Sequence, residues 1–165
     1  MATIRKVDAT KNTERLFRLF EENSRDATHA RAVIAEGAAD LWVAEDAGRL
    51  VGALLGRRMR SSNGALRGGV DNLLVDAPHR RRGLGRQLME EAEAFYRNEA
   101  IHGMQLAVNA ENVVARSLYD SMGYQIVDCY TRRRVNAAGK TRVEQRLRMA
   151  KDFGSGAPER TAQVT

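Results

Sequence analysis

The sequence predicts an α/β fold in a single domain, a mixed β-sheet with helices on both faces, on three observations. Its 165 residues suit one domain that buries about two thirds of its unfolded surface. Strand-like alternation of apolar and polar residues changes repeatedly to helical spacing along the chain. Between one such strand and one such helix lies HRRRGLGR, residues 79–86, three consecutive arginines followed by two glycines one residue apart.

TIRKV at 3–7 alternates like a short strand, and Thr13-Glu14-Arg15-Leu16 opens a helix whose apolar stripe is Leu16, Leu19 and Phe20. A second helix over about Ala27 to Ala35 ends near Gly37. LWVAE and LVGALLGRRM read as two strands around the turn Asp46-Ala47-Gly48-Arg49. SSNGALRGG, 61–69, is a loop or a frayed strand end, and VDNLLVD, 70–76, is a strand stopped by Pro78. From Leu84 the chain turns helical, with Leu88, Ala92 and Phe95 at i, i+4 and i+7. MQLAVNA is a strand, and Asn112 to Met122 a helix ended by Gly123. YQIVDCYTRRRV and TRVEQRLRMAKDF form a terminal hairpin around Asn136 to Lys140. One domain over 1–153 is expected, and the polar, small-residue tail 154–165 is expected to be disordered.

The chain is 43% hydrophobic and has no apolar run near the ~20 residues that a membrane span requires. MATIRKVDAT lacks the apolar region of a secretory signal, and the lone Cys129 has no internal partner, so a cytoplasmic location is expected. Cys129 reads as a packed structural thiol rather than an acyl-carrying nucleophile, since no His is near it in sequence. His29, His79 and His102 lack metal-ligand spacing, and no metal is expected. The net charge of +6 raises affinity for any polyanion. Its excess sits in three clusters, Arg57-Arg58-Met59-Arg60, Arg80-Arg81-Arg82 and Arg132-Arg133-Arg134.

A loop between a strand and a helix leaves several backbone N–H groups without helical partners, and the helix dipole makes that place an anion site. Gly83 and Gly85 let the backbone approach a bulky ligand, while Arg80, Arg82 and Arg86 add charge, a combination suited to a diphosphate. The loop is not a Walker A motif, because it continues Gly85-Arg86-Gln87, nor a dinucleotide fingerprint, because position 88 is Leu. Arg80-Arg81-Arg82-Gly83-Leu84-Gly85 instead resembles the signature of the GCN5-related N-acetyltransferase (GNAT) superfamily: Arg or Gln, two residues, Gly, one residue, then Gly or Ala. The resemblance extends through LLVDAPHRRRGLGRQLMEEAEAF and NAENVVARSLYDSMGY, and the element order fits across 3–153.

The resemblance implies a partly splayed GNAT-like sheet with acetyl-CoA as acyl donor, its pyrophosphate on the glycine loop. Backbone groups of Leu73, Leu74 and Val75 would pair with the pantetheine arm, and N–H groups of Arg81, Arg82, Gly83, Leu84, Gly85 and Arg86 would hold the pyrophosphate. Asn112 and Tyr119, seven residues apart, lie on one helix face, separated by about 700° and about 10 Å of rise. By resemblance Asn112 contacts the pantetheine and the Tyr119 hydroxyl protonates the departing thiolate. By their residue types alone they are equally a helix N-cap and a core aromatic. An alkylammonium, with a pKa of about 10, must lose a proton before it attacks. Family resemblance points to Asp71 as the base or as a residue that binds the acceptor. Strand alternation places Asp71 on the face of Leu73 and Val75. Protein N-terminal acetylases of the superfamily can carry a glutamate where this chain has Ala107, leaving Asp71, a water chain or Glu111.

The expected reaction is direct transfer to a primary amine in a ternary complex, with an oxyanion donor near Val75. Glu21, Glu22, Asp26 and Tyr130 fall where the resemblance places the acceptor pocket, which suits a cationic small molecule, with peptide lysines as the other acceptor class. A homodimer is left open. The competing reading is a polyanion-binding, nucleic-acid module on the same fold using Arg57, Arg58 and Arg132 to Arg134; nucleic acid is not the favoured partner.

Overall fold

The computed structural model describes residues 1–154. Residues 155–165, nearly all of the tail expected to be disordered, lie outside them. One seven-stranded sheet in the order β1-β2-β3-β4-β5-β7-β6 organises the chain. Its strands are β1 (Thr3–Val7), β2 (Ala39–Asp46), β3 (Arg49–Arg60), β4 (Leu66–Val75), β5 (Gly103–Asn109), β6 (Gln125–Val135) and β7 (Thr141–Asp152). All neighbours are antiparallel except β4 and β5. That parallel pair is the consequence of the crossover through α3 (Leu84–Asn98).

Helices α1 (Thr13–Glu22) and α2 (Thr28–Ala35) cover one face, burying Leu16, Leu19, Phe20, Val33 and Ile34 against Leu41, Val43, Leu55 and Leu74. On the other face α3 and α4 (Val113–Ser121) pack Leu88, Ala92, Tyr96 and Tyr119 against Trp42, Leu54, Met104, Leu106 and Met149. Strand alternation sorts β2 and β3 between the two cores: Leu41, Val43 and Leu55 go one way, Trp42 and Leu54 the other. The inner stripe of α3 is Leu88, Met89, Ala92 and Tyr96, and Phe95 packs at its margin, edge-on to Trp42 with ring centroids 5.6 Å apart.

β4 begins at Leu66, several residues before the strand that the sequence predicts. Gly68 and Gly69 read as loop residues, yet they belong to the sheet because the Tyr96 ring lies against it. A Cβ on Gly68 would stand 2.5 Å from Tyr96 Cδ2, and one on Gly69 would stand 2.6 Å from Met59 Sδ.

Two departures from regularity open the site. β4 and β5 pair only at Gly68, Gly69 and Val70 with Met104, Gln105 and Leu106, and then part. A β-bulge sits just there: Gly56 pairs with Val70 and Leu55 with Asn72, so Asp71 is the extra residue.

Candidate active site

Backbone direction in the second half of β4 follows from one hydrogen bond. The Asp76 N–H donates to Val51 O at 2.8 Å, so by alternation Leu74 turns its N–H toward β3, while Leu73 and Val75 turn theirs toward the space that β5 has left. Of the residues expected to pair with a pantetheine arm, Leu73 and Val75 are therefore open. Leu74 is engaged with β3 and buried in the α1–α2 core.

At the end of β4 the glycine loop enters α3. Arg81 and Gly83 take left-handed backbone angles, φ 63° and 81°, which fold the loop tightly. The N–H groups of Arg81 through Arg86 have no backbone partner among the described residues. Those of Leu84, Gly85 and Arg86 are the orphan donors of a helix start. A Cβ on Gly85 would meet Leu118, Leu73 and Val75 only at 3.5–4.0 Å, an ordinary contact, so packing within the protein does not demand this glycine. A ligand backed closely onto the loop would. The arginine side chains divide. Arg80 Nε donates to Val75 O at 2.9 Å and Nη2 to Asn23 Oδ1 at 3.2 Å, tying the loop to the end of α1. Arg86 hydrogen-bonds Ser121 Oγ on α4, and Arg81 and Arg82 are exposed.

Beyond the point where the strands part lies a cavity of about 370 Å³ walled by Asp71, Leu73, Ala107, Asn112 and Tyr119. Tyr119 is 6% exposed, and its ring meets Tyr124 edge-on at 6.0 Å. Burial pushes its hydroxyl up to about 12, opposed by Arg25 and Arg146, so it holds its proton throughout the neutral range. Asn112 is the N-cap of α4, its Oδ1 accepting the Ala115 N–H at 3.2 Å. It lies on the cavity wall in that capping role.

Asp71 departs from the strand reading. The bulge breaks the alternation, so its carboxylate does not share the face of Leu73 and Val75, which pack toward α3. It reaches α2, where Oδ1 stands 2.7 Å from His29 Nε2, while Oδ2 stands 3.2 Å from Arg57 Nε. An ionised carboxylate only accepts hydrogen bonds, so in this pair His29 Nε2 is the donor, and the neutral tautomer that keeps this bond has its lone pair on Nδ1. His29 lines the same cavity and was not marked by the sequence.

Of the three carboxylates expected to favour a cationic acceptor, Asp26 alone lines the cavity. Glu22 pairs with Arg49 at 2.7 Å, and Glu21 lines a separate surface hollow with Arg18 and Arg31. Asp26 does reach the cavity, but it accepts from Thr28 N at 2.9 Å and Thr28 Oγ1 at 2.7 Å and pairs with Arg134. The Thr28 hydrogen bonds hold its carboxyl below the usual range. Tyr130 lies under the Arg148 guanidinium, 4.9 Å from the ring centroid. Glu111 is exposed, 3.9 Å from Arg142. Cys129 is exposed on β6, the sheet's edge strand, which corrects the expectation of a packed thiol.

The arginine clusters read as a polyanion surface are largely neutralised: Arg57 by Glu36 and Asp71, Arg58 by Glu99, Arg132 by Glu144, Arg134 by Asp26. Among the described residues no group of three or more His, Cys, Asp or Glu stands ready to hold a metal ion, and no helix is long and apolar enough to cross a membrane. Arg25 and Arg146 also line the cavity without having been singled out in the sequence. For Arg146 a signal existed: Glu144, Arg146 and Arg148 alternate along β7, one polar face of a strand whose Leu147 and Met149 pack against the α3 core.

The model of the "Acetyltransferase (GNAT) family" matches residues 8–124. No curated protein sequence matches significantly. Among solved structures, Arabidopsis thaliana NAA60 in complex with acetyl-CoA is similar at a TM-score of 0.75 and 16% identity, over 94% of this chain and 100% of that one. The ribosomal-protein-S18-alanine N-acetyltransferase from Escherichia coli aligns at 0.70 and 19% identity, over 93% and 94%. Arabidopsis thaliana Naa50 with the bisubstrate analogue CoA-Ac-MVNAL aligns at 0.69 and 22% identity, over 92% and 99%.

Proposed function

The chain belongs to the acetyltransferase (GNAT) family, and from that premise we propose that it moves an acetyl group from acetyl-CoA to a primary amine by direct attack in a ternary complex. The observation that carries this reading is the parting of β4 from β5. It leaves the open edges of Leu73 and Val75 between the glycine loop, whose Gly85 faces both side chains and whose N–H groups lack backbone partners, and the cavity of Tyr119 and the His29–Asp71 pair, which Leu73 lines.

The residues present fit the donor. N–H groups of Arg81 through Arg86 suit a pyrophosphate, with no Cβ on Gly83 or Gly85 to keep it off. The cleft-facing edges of Leu73 and Val75 suit an amide-bearing arm, which would take the place of the missing strand partner. Asn112, already capping α4, stands on the wall beside that arm.

Proton removal from the ammonium falls to the His29–Asp71 pair. Asp71 fixes the ring by accepting from Nε2, and Nδ1 takes the amine proton. Asp71 thereby works through His29 rather than as the lone base. The Val75 N–H faces the place where charge grows on the thioester oxygen. Tyr119, neutral because it is buried, hands its hydroxyl proton to the departing sulfur. No acyl-enzyme is needed, and the exposed Cys129 lies outside the cavity wall.

Thiol release from acetyl-CoA against a mixed panel of amines tests activity and acceptor together. The expected result is amine-dependent release and an acetyl-CoA-dependent rise in melting temperature. Tight nucleic-acid binding with a steep salt slope, without any acetyl-CoA stabilisation, would favour the polyanion-binding reading instead.

A further inference from the structure

We propose that the amine acceptor itself carries an oxyanion, a carboxylate or a phosphate, seated on Arg25 and Arg146; this rests on the acetyl-transfer reading above and deepens it. The side of the cavity formed by the α1–α2 connection and the β6–β7 hairpin holds Arg25, Arg132, Arg134 and Arg146. Two of these are already matched. Arg132 Nη2 lies 2.9 Å from Glu144 Oε2, and Arg134 Nη2 lies 3.3 Å from Asp26 Oδ2. The other two have no carboxylate partner among the described residues. Arg146 makes only a long hydrogen bond, Nη2 to Ala107 O at 3.4 Å, and its Nε is buried with no acceptor. Arg132 Nε, on the same cavity, is likewise buried without an acceptor. Arg25 comes from the α1–α2 connection and is an exposed residue whose side chain lines the cavity; partial desolvation holds its guanidinium below its ordinary value, Tyr119 opposing the shift and the like charges of Arg80 and Arg134 adding to it.

A buried N–H without an acceptor is costly, and it asks for a group that supplies one. An ammonium supplies none, since it only donates. A carboxylate or phosphate offers paired oxygens that match the guanidinium fork. The opposing charges do not change the balance. Asp71 Oδ1 is engaged by His29, and Asp26 by Thr28 and Arg134, while Asp71 Oδ2, 3.2 Å from Arg57 Nε, and Asn72 Oδ1 are buried without a hydrogen-bond donor and can take the N–H groups of the acceptor's nitrogen; Arg25 and Arg146 leave the cavity an excess of positive charge for its oxyanion. That excess repels a polycation. It also favours the uncharged form of an amine brought beside it, which is the form that attacks.

The test compares matched amines that differ by the oxyanion alone: L-alanine with ethylamine, L-lysine with cadaverine, and O-phosphoethanolamine with ethanolamine. kcat/KM is read from thiol release at saturating acetyl-CoA. At least one oxyanion-bearing member is expected to exceed its partner tenfold or more, the alanine and lysine pairs reporting on carboxylate and the ethanolamine pair on phosphate. In Arg146→Met that ratio should fall to about 1, mainly through KM. The acetyl-CoA-induced melting shift of the variant verifies its fold, and Arg25→Gln repeats the test if Arg146→Met does not fold. Equal constants within all three pairs, preference for the decarboxylated or dephosphorylated members, a ratio that survives in the variants, or no turnover of any of the six amines would overturn the proposal. Turnover of cadaverine or ethylamine without such preference leaves acetyl transfer intact. Loss of acetyl-CoA stabilisation together with all amine turnover removes both readings.

Discussion

At the β4–α3 end the groups proposed to meet the donor are backbone N–H donors of Arg81 through Arg86, supplied by one contiguous stretch. At the other end they are side chains, Arg25, His29, Tyr119 and Arg146, supplied by three separate elements and the α1–α2 connection. The first kind of site constrains the chain through what must be missing, a Cβ or a competing hydrogen bond. The second constrains it through what must be present, and folding has to bring it together. Substitutions at the two ends should therefore fail differently: at the loop through donor affinity, in the cavity through turnover.

The largest effect is expected from Tyr119→Phe. The ring keeps its place against Tyr124, while the proton donor is lost. Turnover should fall by about 10²–10⁴, the range of a lost general acid, with acetyl-CoA affinity changed by no more than a few fold. Because burial pushes the hydroxyl up to about 12, the wild type should show no loss of this acid as pH rises from about 6 to about 10. An unchanged chemical rate in the variant would reduce Tyr119 to packing.

Gly85→Asp probes the opposite end. Its carboxylate would compete for N–H donors in the loop and oppose a phosphate. Losing one charge-assisted hydrogen bond, about 1.5–3 kcal/mol, weakens acetyl-CoA binding by about 10–10². Calorimetry giving wild-type affinity would take the loop out of the donor site.

His29→Gln should lower turnover by about 10–10² at neutral pH, with partial recovery toward pH 10 as solution deprotonates the amine itself. Asp71→Asn should follow the same profile if it acts through His29. If Asp71 only binds the acceptor, KM rises and kcat at saturation stays near wild type. Parallel measurements of both constants distinguish these roles.

The same contrast explains what the sequence made legible. The loop was legible as a run of open N–H donors because they are consecutive and lead into the start of a helix, whatever the side chains. That Asn112 and Tyr119 line one cavity was legible because seven residues bring a helix back to one face. The α2 side was not. His29 and Asp71 meet at 2.7 Å only because a bulge inserts one residue into β4, and strand alternation alone sends that carboxylate the wrong way. Gly68 and Gly69 concealed the first half of β4 for a tertiary reason, the Tyr96 ring lying against the one and the Met59 side chain against the other. The glutamates expected at the acceptor pocket failed similarly: residue type and element were right, but Arg49 engages Glu22 at 2.7 Å. Surface charge says little until its partners are known.

The smallest expected effect separates constraint by fold from constraint by ligand, using alanine at each loop glycine. Gly83 holds φ 81°, where an L-residue is strained, so Gly83→Ala should lower stability without ligand by about 1 kcal/mol. Gly85 lies in the first turn of α3 with no positive φ, and its new methyl would stand at ordinary contact distance from Leu118, Leu73 and Val75. Gly85→Ala should therefore raise stability without ligand by about 0.4–1 kcal/mol, because it restricts the unfolded chain without straining the native one. The same methyl intrudes where a pyrophosphate would back onto the loop, so the acetyl-CoA-induced melting shift should shrink. Opposite signs in one variant, firmer without donor and less responsive to it, would show that Gly85 is there for the ligand. Thermal melts with and without acetyl-CoA decide it: a Gly85→Ala protein destabilised by itself would mean that the fold requires this glycine, and an undiminished shift would mean that the donor does not approach it.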